Sequence, residues 1–184
     1  ASPTYNQDNR AGVVTKLCKK YIESCLKKGL DVDTIDLYKD KEFNALSGSE
    51  DNDTKDLEYQ IKIKRSDLIA FFYPSWQGFL PGVLKTFCEK VFVSGVSYKT
   101  VKSIPKPLLA NKQCQVFIAT EKPLWQEKLV YKNMHNTFWK RSIFAVSGIK
   151  SQLFWFDKMR SVSNKDIENW YNKISATGWQ VDAP

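Results

Sequence analysis

The sequence predicts an α/β fold, a three-layer doubly wound parallel sheet formed by one domain of residues 1–184. Three observations predict it. Helix-period and strand-like segments alternate in the order αβαβαβαβα. Two apolar runs, Leu68–Tyr73 and Cys114–Ala119, lack polar alternation, as strands covered on both faces do. The length of 184 residues suffices for one such domain and is short for two.

The elements follow in order. From Arg10 to Lys28, Val13, Val14, Leu17, Cys18, Tyr21, Ile22, Cys25 and Leu26 recur as one apolar helical stripe, and Gly29 supplies the stop. Val32 to Leu37 alternates as a short strand. Lys39 to Asp53 is polar and reads as a surface loop, and a helix from about Thr54 to Arg65 follows it. Leu68–Tyr73 is a central strand ending at Pro74. A loop then leads to Pro81, which suits the first turn of a helix running to about Val93 because its missing N–H is not needed there.

Cys114–Ala119 is the next strand, a helix covers Gln126 to Ile143, and Gly148 to Phe156 is the last strand. Ser163 with Asp166 forms a capping box for a final helix whose Ile167, Trp170, Tyr171 and Ile174 face inward. This order opens on a loop and a helix. The strand that would feed that loop is therefore expected ahead of Ala1, about six to eight residues long. Ligands of such sheets bind beyond the carboxyl ends of the strands, where Ala1–Asn9, Pro74–Leu80 and Thr120–Trp125 are expected to lie.

Composition narrows the function. The apolar runs fall far short of the roughly 20 residues that span a bilayer, and no signal-peptide pattern opens the sequence. The net charge of +8 comes from lysines spread along the chain, in pairs such as Lys19-Lys20 on a helix's polar face. That is a solvated surface rather than a nucleic-acid face. Cys18, Cys25, Cys88 and Cys114 form no C-x-x-C pair and are expected as free thiols in a reducing cytoplasm. With one histidine, His135, a multi-histidine metal site is impossible, and no metal site is expected. His135 has no motif around it and reads as structural or surface-lying.

The segment from Tyr73-Pro74-Ser75-Trp76-Gln77-Gly78 through Leu80-Pro81-Gly82-Val83-Leu84-Lys85, Val91-Phe92 and Gly95-Val96-Ser97-Tyr98 resembles the hallmark of the flavodoxin-like NAD(P)H:quinone oxidoreductases. Asp36-Leu37-Tyr38 with Phe43 is similar to the element after their second strand. Ala1-Ser2-Pro3 with Asn9-Arg10 is similar to their first loop, which holds flavin phosphate. The resemblance spans nearly the whole chain.

What it implies is a flavodoxin-like homodimer that takes hydride from NAD(P)H, the cosubstrate, onto tightly bound FMN or FAD and delivers two electrons to a quinone-like acceptor. Ser2, Gln7 and Asn9 would hold the phosphate. Pro74, Ser75, Trp76, Gln77 and Gly78 would shape an apolar slot whose consecutive amides meet the polar edge of the ring. Thr120, Glu121 and Lys122 would border the flavin, and Tyr98 would overhang the substrate side as the catalytic residue.

The chain departs from the family at named positions. Gln77 replaces a second Trp, Gln7 replaces a Ser, and Ala119-Thr120-Glu121-Lys122 stands where the family has T-T-G-G, whose glycines let backbone approach the ring. Two other readings stay open: a flavodoxin-type electron carrier, against which the basic charge counts, and a flavin-poor regulatory relative that has lost its cofactor.

Overall fold

The computed structural model describes residues 11–40, 53–159 and 161–177. Helix α1 (Ala11–Lys27) is followed by α2 (Asp53–Arg65), strand β1 (Leu68–Pro74) and α3 (Gly82–Val91). A hairpin, β2 (Tyr98–Val101) and β3 (Ile104–Pro107), precedes β4 (Gln113–Ala119). The chain then runs through α4 (Leu124–Leu129), α5 (Met134–Thr137), a π-helical stretch (Phe138–Phe144), α6 (Ala145–Ser147), β5 (Lys150–Phe156) and α7 (Asn164–Thr177).

β1, β4 and β5 form a parallel sheet in that spatial order, with Pro74, Ala119 and Phe156 level at the carboxyl ends. The absence of alternation in β1 and β4 has the predicted cause, because each face of the sheet packs its own core. Ile69, Phe71, Tyr73, Cys114, Val116 and Ile118 join α2, α3 and the π-helical stretch on one side. Phe72, Phe117, Ala119 and Phe156 meet α1 and α7 on the other.

On that second face, register aligns Phe72, Phe117 and Phe154 across all three strands. Their rings stack at centroid distances of 4.3 and 5.0 Å, a geometry that adds to what area burial alone contributes. Tyr21 of α1 lies edge-on to this ladder and donates a 2.7 Å hydrogen bond to Gln115, satisfying a polar side chain in the core. Val13, Val14, Leu17, Tyr21 and Cys25 of the α1 stripe are buried, each fully buried Val or Leu contributing about 1.5–3 kcal/mol. Leu26, expected in that stripe, is exposed.

α7 starts at the predicted capping box. Ser163 N donates to Asp166 at 3.1 Å, and Asp166 N donates back to Ser163 Oγ at 3.2 Å. Gly29 and Gly148 end their helices in the left-handed conformation, at φ 75° and 78°. All four cysteines are free.

The structure corrects the sequence in three places. Val32 to Leu37 is not a strand: it forms no ladder among the described residues. A cavity of about 250 Å³, lined by Tyr21, Val32, Ile35, Ile69 and Phe71, lies between it and β1, and no described strand pairs with it. The expected helix Gln126–Ile143 is broken, because Lys132 and Asn133 take positive φ of 49° and 55° and separate α4 from α5.

The hairpin β2–β3 was not expected at all. Its turn residues, Lys102 and Ser103, both have positive φ (51° and 63°) without being Gly or Asn, so they carry no turn signal. The loop expected over Lys39–Asp53 falls mostly outside the described residues, with Asp53 already in α2.

Candidate functional site

At the carboxyl ends of β1 and β4 the ladder continues one step into each following loop. Ser75 N donates to Ala119 O at 2.7 Å, and Thr120 N donates to Phe156 O at 2.8 Å. The first candidate segment is thereby keyed to β4, and the second, which continues β4, to β5. After Ser75 the chain reverses at once. Trp76 and Phe79 exchange two backbone hydrogen bonds of 3.0 Å across Gln77 (φ 53°) and Gly78 (φ 81°), a two-residue turn of the I′ kind. Trp76 N–H is thus used within the loop. Gln77 and Gly78 N–H remain side by side with no acceptor among the described residues.

Beneath the loops lies a buried polar group. Glu127 of α4 is 2% exposed, and its Oε1 accepts from Thr120 Oγ1 at 2.7 Å and Ser75 Oγ at 3.2 Å. Its Oε2 has no hydrogen-bond partner among the described residues. Ser75 Oγ also lies 2.9 Å from His135 Nε2, and His135 Nδ1 lies 3.1 Å from the Tyr73 hydroxyl. That hydroxyl in turn accepts from Trp139 Nε1 at 2.8 Å. Burial pushes the His135 pKa down to about 4 and raises that of Tyr73 well above the usual phenol value.

Above the loops, Tyr131 packs so closely on Gly78 that a Cβ there would collide with its ring. Here glycine is required both by φ and by space. Lys122 donates to the Tyr131 hydroxyl and holds its ammonium 4.5 Å from the ring centroid.

Of the sequence-predicted residues, Pro74 to Gly78 and Thr120 to Lys122 are brought together at one sheet edge. Within that group the side chains divide. The Thr120 hydroxyl faces Glu127 and accepts from Lys122 N at 3.2 Å, Glu121 is exposed, and Lys122 engages Tyr131. Tyr98 heads β2, half-buried, with its carbonyl accepting from Gly95 N. Among the described residues no side-chain hydrogen bond or ring contact links it to the two loops. Ser2, Gln7 and Asn9 lie outside the described residues. Sequence reasoning missed Glu127, Tyr131 and the bonded state of His135. None sits in a motif, and Glu127 reads from sequence as one more helix-surface charge.

The arrangement fits the edge of a flat heteroaromatic ring. Two unpaired, adjacent amides at positive φ form a donor pair, the shallow nest that polar ring atoms or anions accept from. Exposed Trp76 stands beside them to shape an apolar wall.

Comparison with known proteins places the chain by sequence and fold. The family model Flavodoxin_2, described as a flavodoxin-like fold, matches residues 3–176. The chain is similar to an uncharacterized NAD(P)H oxidoreductase of Haemophilus influenzae, 41% identical over 56 residues, 30% of this chain and 28% of that one. It is also similar to an FMN-dependent NADH:quinone oxidoreductase of Coprothermobacter proteolyticus, 24% identical over 132 residues, 65% of this chain and 64% of that one. These matches span less than two thirds of either relative's length. Among solved structures, an NAD(P)H:quinone oxidoreductase from Methanothermobacter marburgensis superposes with a TM-score of 0.76 at 15% identity, covering 100% of this chain and 94% of that one.

Proposed function

The chain belongs to the Flavodoxin_2 family, and we propose that it is an FMN-dependent oxidoreductase that carries two electrons from NAD(P)H to a quinone-like acceptor. The observation that carries this reading is the free amide pair of Gln77 and Gly78, set at the rim where β1 and β4 end. FMN, when bound, supplies a ring that accepts hydride and releases electrons to a second substrate. Reduced flavin is negatively charged at its pyrimidine edge, where fixed amide donors stabilise it. FMN rather than FAD is the cofactor named for the Coprothermobacter relative. Ser2, Gln7 and Asn9 complete the proposal as phosphate ligands and Tyr98 as the residue over the substrate side.

We further propose a homodimer working in the cytoplasm. Trp76, Phe79, Trp125, Leu129, Val130 and Met134 are exposed large apolar side chains on the site loop, α4, the turn after it and the start of α5, and Leu129 is 73% exposed. Apolar surface of that kind beside a site is what a second subunit covers. The free thiols suit a reducing compartment. No helix among the described residues is long and apolar enough to cross a membrane.

A second reading, the flavin-poor relative, is favoured by one observation: Tyr131, tied down by Lys122, lies directly on Gly78. Titration with FMN and with FAD, followed by flavin fluorescence, separates the two. Saturable FMN binding, then quinone-dependent NADH or NADPH oxidation, is the expected result. A protein that binds neither flavin overturns the enzyme reading.

A further inference from the structure

The chain of polar contacts under the site has a direction that its two ends force independently. At one end, an indole N–H can only donate, so Trp139 Nε1 donates to the Tyr73 oxygen. Tyr73 is fully buried, and among the described residues the phenolic proton has one acceptor, His135 Nδ1. A neutral imidazole with a bare Nδ1 carries its proton on Nε2, which then donates to Ser75 Oγ. The Ser75 proton passes to Glu127 Oε1.

Starting from the other end gives the same answer. Glu127 Oε1 accepts from both Ser75 and Thr120, so the single Ser75 proton is committed. Ser75 Oγ must therefore accept from His135, and His135 Nδ1 must accept from Tyr73. A second imidazole proton would set two donors face to face at Tyr73.

We infer that His135 is a positioning residue: held as the neutral Nε2–H tautomer between Tyr73 and Ser75, it turns the Ser75 hydroxyl onto Glu127 and so fixes the head of the Trp76–Phe79 turn. It neither exchanges protons with a substrate nor binds a ligand itself. The titratable groups facing it are Tyr73 from β1 and, through Ser75, Glu127 from α4. Trp155 of β5 covers the ring edge-on at 5.4 Å, and Trp139 of the π-helical stretch closes the far side of Tyr73. Burial, which disfavours the imidazolium, acts in the same sense. Chains of hydrogen bonds polarised in one sense strengthen one another, so the anchor is firmer than its separate links. The inference rests on the flavin reading only for what the turn holds.

Because the chain has one histidine, nitrogen NMR of the ring reads this residue alone. The full protein, labelled at histidine and free of flavin, is expected to show one protonated nitrogen, Nε2, unchanged from about pH 8 to about pH 5. A proton on Nδ1, or titration near the ordinary histidine value, overturns the inference. Tyr73→Phe, checked for folding by circular dichroism, removes the donor to Nδ1. The Ser75 end still calls for the Nε2 proton, so that proton is expected to stay while the Nδ1 signal moves to that of a nitrogen with no donor, and an FMN titration is expected to weaken about tenfold, as loss of one hydrogen bond does. A proton moved to Nδ1, or an Nδ1 signal identical to the parent's, in folded Tyr73→Phe also overturns it. The histidine signature is read without cofactor, so a protein that shows it and binds no FMN keeps this inference and loses the flavin reading.

Discussion

Ser75 and Thr120, one residue past the ends of adjacent strands, donate to the same carboxylate oxygen of Glu127, at 3.2 and 2.7 Å. One buried side chain thus clasps both loops of the candidate site. Glu127→Ala leaves two hydroxyls without that acceptor in a dry environment and is expected to cost about 2–4 kcal/mol of stability. Glu127→Gln retains an acceptor oxygen and is expected to cost less. Urea unfolding of the three proteins measures both, and FMN titration is expected to weaken in the same order. Equal stability of parent and Glu127→Ala would show that no clasp exists.

Gly78 is constrained twice, by φ 81° and by Tyr131. Gly78→Ala is expected to destabilise by about 1–3 kcal/mol, from a strained left-handed backbone together with the collision. Tyr131→Ala removes the collision and leaves the strain. The double variant is therefore expected to be more stable than the two single effects added. Additive effects in thermal unfolding would place the ring elsewhere.

Stability is expected to fall in acid partly through His135. The unfolded chain binds a proton at an ordinary histidine value near 6.5, whereas the folded protein resists until about pH 4. Between those values the unfolded state holds more protons, so its share of stability, present above pH 6.5, is lost as pH drops towards 4. The loss is roughly 3 kcal/mol. Denaturant midpoints of the parent and His135→Asn compared at pH 7 and at pH 4.5 test it. An identical pH slope in both proteins contradicts the assignment.

Leu129, on the exposed apolar surface of α4, is the position at which to break the proposed dimer. Leu129→Arg buries a charge in any interface formed there and is expected to shift the protein to monomer in sedimentation, with its far-ultraviolet spectrum unchanged. A parent protein that sediments as a monomer at all concentrations removes the proposal.

The sheet was legible because burial on both faces leaves a mark that composition alone carries: Leu68–Tyr73 and Cys114–Ala119 contain almost nothing polar. Caps were legible for a similar reason, since Ser163 and Asp166 answer a local chemical need. Backbone-led features were not. Lys102, Ser103 and Lys132 take left-handed conformations imposed by their surroundings rather than by their own preferences. Val32 to Leu37 has the alternation of a strand, but a strand exists only with a partner, and alternation carries no information about one. In the site, Pro74–Gly78 stood out by motif. Glu127 and His135 act through contacts seven or more residues away in sequence, and nothing in their neighbours' identities announces them.

The level ends of the three strands bear on which changes of length the protein tolerates. Pro74, Ala119 and Phe156 share one line; the first site loop bonds β4 through Ser75 N to Ala119, and the second leaves the end of β4 and bonds β5 through Thr120 N to Phe156. Insertions or deletions in the loops past that line alter what the rim displays but leave its height alone. One residue added within β4 would move Thr120 by about 3.3 Å and send each inward side chain to the opposite face. Variation in this lineage therefore has wide latitude in loop length and almost none in the length of its middle strand.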